Sequence, residues 1–375
     1  MPDSTAGPNT TASPGSQNDT DSAGIIRRSY EDQGLPKHIA SFLMSAWRPG
    51  THQQYRSYLQ RWLSFCEQEQ VDPVRPPVGP VLEFMHRLYS HGKSDSSGLA
   101  YSSLGTARSA LSTIATIDNI PAGQHPLITK FMKAAFNQRP VLPKNNITWD
   151  VSLVLRHLKT LGPNETIHIR QLAKKLVVLM LLLSGQRGQT IHALDTQSMT
   201  LTNEGVTFII NVLLKTWRPG HHQSRVYFPS YPIDSRLCVV SALRTYISRT
   251  KFARQQETRL FLNIKPPHTP VHRDTIRRWT RDTLEDAGID MSIFTPHSTR
   301  AASTSRAATK LPLDTILATA GWSQATTFQR FYNKPIEQSG DFADSILQSA
   351  LDDNWFMLDM FYDLWISLIV QDHCL

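Results

Sequence analysis

Cysteine is scarce in this chain: Cys66, Cys238 and Cys374 are the only three among 375 residues. Their wide separation argues against a metal-ligand cluster, and their number against a disulfide-stapled secreted scaffold; a reducing interior fits better. Long apolar runs are missing too. The strongest, Trp355 to Val370, is sixteen residues long and is broken by Asp359 and Asp363, while the run Leu176–Leu183 is shorter still. Neither suffices to span a bilayer. The N-terminus shows no apolar segment of the signal-peptide kind, and no glycine-rich phosphate loop supports an ATPase. These absences predict an intracellular protein, nuclear in a eukaryotic host, with no membrane partner.

Acidic residues are present but unevenly placed. The net charge is +8, and Glu337 to Leu375 holds eight acids without a Lys or Arg, so residues 1–336 carry +16 (+8 less −8). A body this basic predicts a polyanionic partner, nucleic acid ahead of a membrane surface.

Hydrophobic periodicity divides the chain. Residues 1–35 open on a stretch rich in Pro, Ser, Thr and Asn, too polar to offset its own ordering, and are expected to be disordered. Residues 36–139 follow a helical pattern. Thr51 can cap a helix with Tyr55, Leu59, Trp62, Leu63 and Cys66 on one stripe; a second covers Val78–Tyr89 and a third starts near Ser97. A fourth covers Pro126–Phe136, with Ile128, Phe131 and Phe136 inward. Two prolines, Pro140 and Pro143, hold the linker 140–147 extended. In residues 148–336 the pattern predicts helices near 150–161, 167–184, 235–249, 272–287, 296–309, 313–319 and 323–332. Three strands, Met199–Leu201, Val206–Leu214 and Val226–Phe228, fall between them. The fold class is therefore mainly α with a small antiparallel β-sheet, in two domains. Residues 337–375 form an acidic tail in which Leu358, Phe361, Leu364, Trp365, Leu368 and Ile369 make a helical apolar stripe.

One stretch concentrates chemistry. His297 and Arg300 follow Pro296, so both can project from the first turn of a helix, and Ser323 can cap a short helix carrying Tyr332 just after Gly321-Trp322. A His, an Arg, an indole donor and a Tyr suit an anionic tetrahedral group, with the tyrosine oxygen as attacker. Upstream, Arg187 in the turn Ser184-Gly185-Gln186-Arg187 and Lys215 at the end of the middle strand add cations. Singly each is ordinary: a helix-end charge, a hairpin-edge charge, a core tryptophan, a packed tyrosine. Arg56, Arg108, Lys130 and Lys133 of the helical module, with Arg273 and Arg277 of the helix near 272–287, are candidates for duplex DNA contact. His221 and His222 have no Cys or acid cluster nearby, so no metal is expected.

The order Arg187, Lys215, His297, Arg300, Trp322, Tyr332 resembles the active site of the tyrosine recombinases, the phage integrase family. That pattern is Arg, Lys on a β-hairpin, His-x-x-Arg, His or Trp, then Tyr. The resemblance covers roughly residues 40–336, and the helical module resembles the family's SAM-like core-binding domain. Lys215-Thr216-Trp217-Arg218-Pro219-Gly220, Pro296-His297-Ser298-Thr299-Arg300-Ala301-Ala302-Ser303 and Ala320-Gly321-Trp322-Ser323 resemble recombinases of DIRS-type retroelements and their eukaryotic relatives. Thr190 departs from the pattern, standing where the family often has an acid. Tyr332 lies ten residues after Trp322 where nine is commoner, and Phe331 occupies the ninth position.

The resemblance implies two domains closing as a clamp on double-stranded DNA, a homo-oligomer there (dimer to tetramer), and site-specific breakage and rejoining that mobilises an element. Tyr332 would form a 3′-phosphotyrosyl link, with no metal or cofactor. Arg187 and Arg300 would hold the phosphate oxygens, His297 would accept the phenol proton or hydrogen-bond it, Lys215 would protonate the leaving 5′ oxygen and Trp322 would donate its indole N–H. The tail would dock on a neighbouring protomer; packing on its own domain and an unselected extension remain open. So do two other functions: a catalytically inactive DNA-binding descendant of a recombinase, and a nicking-closing enzyme like a type IB topoisomerase.

Overall fold

The computed structural model describes residues 34–91, 98–140, 146–215, 217, 219–220 and 225–336, with a few more between 24 and 31. The expected N-terminal disorder and the linker fall largely outside the described residues, and the tail 337–375 wholly so. The chain divides into two compact units, residues 1–143 and 144–375.

The first unit contains α1 (Lys37–Met44), α2 (Pro49–Glu69), α3 (Val78–Ser90), α4 (Tyr101–Leu111), the hairpin β1 (Thr116–Ile117) and β2 (Ile120–Pro121), and α5 (Pro126–Gln138). Arg48, not Thr51, is the N-cap residue of α2. Pro49 takes the first helical position because its φ is preset and it has no amide hydrogen to satisfy. The core is aromatic: Trp62, Phe65 and Phe84 meet pairwise at ring-centroid distances of 5.2 to 5.6 Å, and the Trp62 indole donates to Pro73 O at 3.1 Å. On α5 the buried side chains are Ile128, Met132 and Ala135, whereas Phe136 lies exposed at the rim against Tyr101. Position 136 lies one turn beyond Met132 at the edge of the same stripe, where Phe136 packs on Tyr101 instead of entering the core. The hairpin escapes a reading based on apolar pattern. Its turn residues Asp118 and Asn119 both take positive φ (50° and 62°), the geometry that two-residue hairpins require.

The second unit comprises α6 (Val151–Thr160), α7 (Ile169–Ser184), α8 (Gly188–His192), β3 (Met199–Leu201), β4 (Gly205–Ile209), β5 (Arg225–Pro229), α9 (Val239–Arg254), α10 (Arg273–Asp286), α11 (Ser298–Ala308), α12 (Leu313–Ala320) and α13 (Ala325–Phe331). α7 is its axis, packed against α9, α10 and α11. Leu172, Leu176, Leu179 and Met180 of α7 have no exposed surface, and burial of each such side chain is worth roughly 1.5–3 kcal/mol. Even Lys175 is enclosed: its ammonium donates to Gly162 O at 3.3 Å, and burial lowers its pKa.

The sheet is antiparallel in the order β3-β4-β5, with Val206 opposite Phe228 and Phe208 opposite Val226. Those four side chains are buried, while Ile209 and Tyr227 occupy the open face. β4 ends at Ile209 rather than Leu214. Leu214 is nonetheless buried in the same core, which is why the apolar pattern runs on past the strand. Lys215 consequently lies in the connection between β4 and β5, not at a strand end. Among the described residues no helix is long and apolar enough to cross a membrane.

Candidate active site

The site forms where α11, the end of α7 and the segment Gly321–Tyr332 meet. α11 begins at Ser298, with His297 as its N-cap residue. Trp149 Nε1 donates to Ser298 Oγ at 2.8 Å, and that hydroxyl donates to Thr295 O at 2.7 Å. The turn that presents His297 is thereby tied to a buried indole.

Arg300 follows on the inner side of α11 and is 1% exposed. Its Nη1 donates to the carbonyl of Gly185. Gly185 terminates α7 at φ +58°, where a glycine avoids the Cβ penalty and an added Cβ would lie 2.8 Å from Thr304 Cγ2. The guanidinium carbon stands 3.8 Å from the Trp322 ring centroid and 5.4 Å from that of Tyr332. Nε and Nη2 of Arg300 and Nε1 of Trp322 are buried and have no hydrogen-bond partner among the described residues. Burial first, and then the charge of Arg187, push the Arg300 pKa down to about 9, partly offset by the nearby Tyr332 oxygen. A guanidinium stays charged at neutral pH even so. A buried cation beside a second cation, with three unpaired N–H donors in the same place, is an arrangement that an anion stabilises.

Gly321 closes α12 at φ +72°, and Trp322 then packs on Phe328, with ring centroids 5.3 Å apart. α13 is capped by Gln324, not Ser323, and Tyr332 is its C-cap residue. Tyr332 lies on Trp322 at a centroid distance of 4.8 Å, and its hydroxyl is 3.1 Å from His297 Nε2. With that nitrogen unprotonated, the phenol donates to it. His297 keeps an exposed side, but withdrawal of its ring from water, and then the charges of Arg187, Arg300 and Lys215, hold its pKa below that of a free imidazole.

Arg187, half-buried, is the N-cap residue of α8 and reaches the cluster through its charge on both His297 and Arg300. Lys215, exposed, is felt at His297, and its backbone N–H donates to Gln189 Oε1 at 3.4 Å. All six residues of the pattern thus converge. Thr190 braces Gln186, donating to its Oε1 at 3.2 Å, while Gln186 Nε2 donates to Thr319 O at 2.6 Å. The turn before Arg187 is in this way joined to the end of α12, just ahead of Trp322.

Several positions in this network carry no signal in the sequence. Ser305 Oγ donates to Tyr332 O at 2.7 Å and accepts from Lys334 N at 3.0 Å. Thr148 N donates to Pro335 O at 2.9 Å, and Thr148 bridges Ile336 in parallel. The candidates for DNA contact sit on other elements: Arg273 and Arg277 are exposed one turn apart on α10, Lys130 and Lys133 are exposed on α5, and Arg56 and Arg108 are half-buried on α2 and α4. Among the described residues no group of His, Cys, Asp and Glu could hold a metal ion.

Residues 155–338 match the model of the phage integrase family. The chain is also similar to the XerH site-specific recombinase bound to its difH substrate in a pre-cleavage complex: TM-score 0.51, 13% identity, covering 87% of this chain and 85% of that one. The Tn1549 transposon integrase, residues 82–397, in complex with circular intermediate DNA aligns with a TM-score of 0.50 and 13% identity over 87% of this chain and 98% of that one. At such identities the likeness is one of fold: mainly helical, in two domains, with a small antiparallel sheet. No curated protein matches the sequence.

Proposed function

We propose that the protein is a site-specific DNA recombinase that cuts and rejoins duplex DNA through a 3′-phosphotyrosyl link on Tyr332. The observation that carries this is the buried Arg300 guanidinium, with two unpaired nitrogens, stacked on Trp322 beside a phenol that is 3.1 Å from an imidazole nitrogen. Tyr332 Oη attacks the phosphorus in line. Its proton passes to His297, in which withdrawal from water and then the surrounding cations favour the neutral, accepting form. Arg187 and Arg300 bind the non-bridging oxygens as negative charge gathers there, joined by the Trp322 N–H. The bond from phosphorus to the 5′ oxygen breaks, and Lys215 protonates that oxygen. One ester replaces another, so the reverse step rejoins strands with no outside energy.

Two solved relatives of the same fold are DNA complexes, which supports duplex DNA as the partner. Reciprocal exchange between two duplexes breaks four strands. If each copy supplies one tyrosine, the assembly that completes the exchange is a tetramer. A mobile-element origin is supported by the resemblance of the three active-site phrases.

A nicked suicide duplex carrying a candidate terminal sequence tests the chemistry. The wild type should leave a covalent protein–DNA adduct after denaturation, and Tyr332→Phe should bind equally well and leave none. Binding by the wild type without an adduct would favour the inactive DNA-binding descendant instead.

A further inference from the structure

Tyr332 lies at the end of a helix of only seven residues, on a small satellite cluster of Ile316, Ala320, Trp322 and Phe328. Such a short element, resting on so little apolar area, does not hold its last residue by itself. The backbone is instead fastened from α11. The Ser305 hydroxyl donates to the carbonyl of Tyr332 and accepts from the amide of Lys334, so one side chain closes a ring around three residues. Ser305 is buried, and removal of its hydroxyl would strand a carbonyl and an amide together. It also stands on the same rigid helix as Arg300 and just over two turns from His297, which fixes the tyrosine backbone in the frame of both.

We propose that Ser305 is the positioning residue of Tyr332: it holds the phenol against His297 in the geometry required for attack, while touching neither phosphate nor base. This rests on the reading of Tyr332 as the nucleophile. Loss of the clasp lets the attacking oxygen drift by a fraction of an ångström to an ångström, a displacement that costs up to about 10²-fold in rate. Affinity for DNA should be spared.

Ser305→Ala, Ser305→Thr and, as a stability control on α10, Thr280→Val are compared with the wild type. The readouts are adduct formation at saturating nicked duplex, affinity for that duplex and Tm. Ser305→Ala is expected to form adduct roughly 10- to 10²-fold more slowly, with affinity within about twofold and with a rate loss that the control does not share at equal loss of Tm. Ser305→Thr, which keeps the hydroxyl, should recover most of the rate. A wild-type rate in Ser305→Ala, a Ser305→Thr no better than Ser305→Ala, or an equal rate loss in the control overturns the proposal. The NMR titration of the His297 ring reads the placement without cleavage. It should change in Ser305→Ala and not in Ser305→Thr, and an unchanged titration overturns the clasp even where the wild type itself forms no adduct.

Discussion

Nε2 of His297 and the hydroxyl of Tyr332 are 3.1 Å apart across 35 residues of sequence. Both belong to one chain, and that chain also pins the segment after Tyr332 at Thr148 and Ser305. On the reading proposed above, the nucleophile would be delivered in cis. Tyr332→Phe and Arg187→Gln should each be inactive alone and remain inactive when mixed on one duplex, since neither chain then holds a full site. Recovery of adduct in the mixture would show delivery in trans.

The pH dependence has a definite sign. Withdrawal from water and three cations lower the His297 pKa, so the ring keeps its acceptor to a lower pH than a free imidazole does. The acid limb of adduct formation should have its midpoint below the ordinary imidazole value of about 6.5. Arg187→Gln removes one of the opposing charges and should move the His297 titration upward by NMR. A midpoint at or above the ordinary value in the wild type would contradict this electrostatic picture.

Arg300 makes the unliganded site costly to keep folded, because its charge is buried with two unpaired nitrogens. Vanadate or inorganic phosphate should raise Tm beyond the effect of an equal ionic strength of chloride, and Arg300→Met should abolish that increment. The same substitution should slow adduct formation by at least about 10²-fold, as loss of a preorganised donor does. Equal stabilisation of wild type and variant by the oxyanion would locate its binding elsewhere.

Lys215 lies in the β4–β5 connection, exposed, with its charge felt at His297. If it is the general acid proposed above, it should matter only when the leaving oxygen needs a proton. Lys215→Ala should therefore be severely slowed on an ordinary duplex and close to wild type on one with sulfur at the bridging 5′ position, since a thiolate leaves unprotonated. A similar defect on both substrates would assign Lys215 to phosphate binding alone.

Gly185→Ala should be more damaging than its size suggests. A left-handed φ costs a non-glycine residue roughly 1–2 kcal/mol, and the added Cβ would meet Thr304 Cγ2 at 2.8 Å. Thr304 is β-branched within a helix, and its hydroxyl donates to Arg300 O at 2.6 Å, so it has little room to yield. The carbonyl that anchors Arg300 must shift. Calorimetry should show a loss of about 2 kcal/mol or more, and adduct formation should fall with it. An unchanged Tm would mean that the turn has another conformation open to it.

Element type was legible wherever a side-chain period existed. α7 and α10 follow the apolar repeat, and their ends agree within a few residues. Boundaries moved where a local cue competed: Pro49 displaced Thr51 as the start of α2, and Gln324 displaced Ser323 at α13. The apolar run past Ile209 extended the predicted strand because Leu214 is buried outside the sheet. The helix near 128–136 was found, but the rim position of Phe136 depends on where Tyr101 lies.

The sequence by itself determined the order and chemical kind of the six residues Arg187, Lys215, His297, Arg300, Trp322 and Tyr332, and the helical repeats that carry most of them. Composition and local spacing are properties of neighbours along the chain, and these suffice for that much. Only the tertiary structure decided that Arg300 is buried on a glycine carbonyl, that Trp149 fastens the His297 turn, and that Ser305 and Thr148 grip the backbone on either side of Lys334. Such contacts join residues from 27 positions apart (Ser305 and Tyr332) to 188 (Thr148 and Ile336). They often use main-chain atoms common to every residue, so only the packing of α7 against α11 brings them within reach.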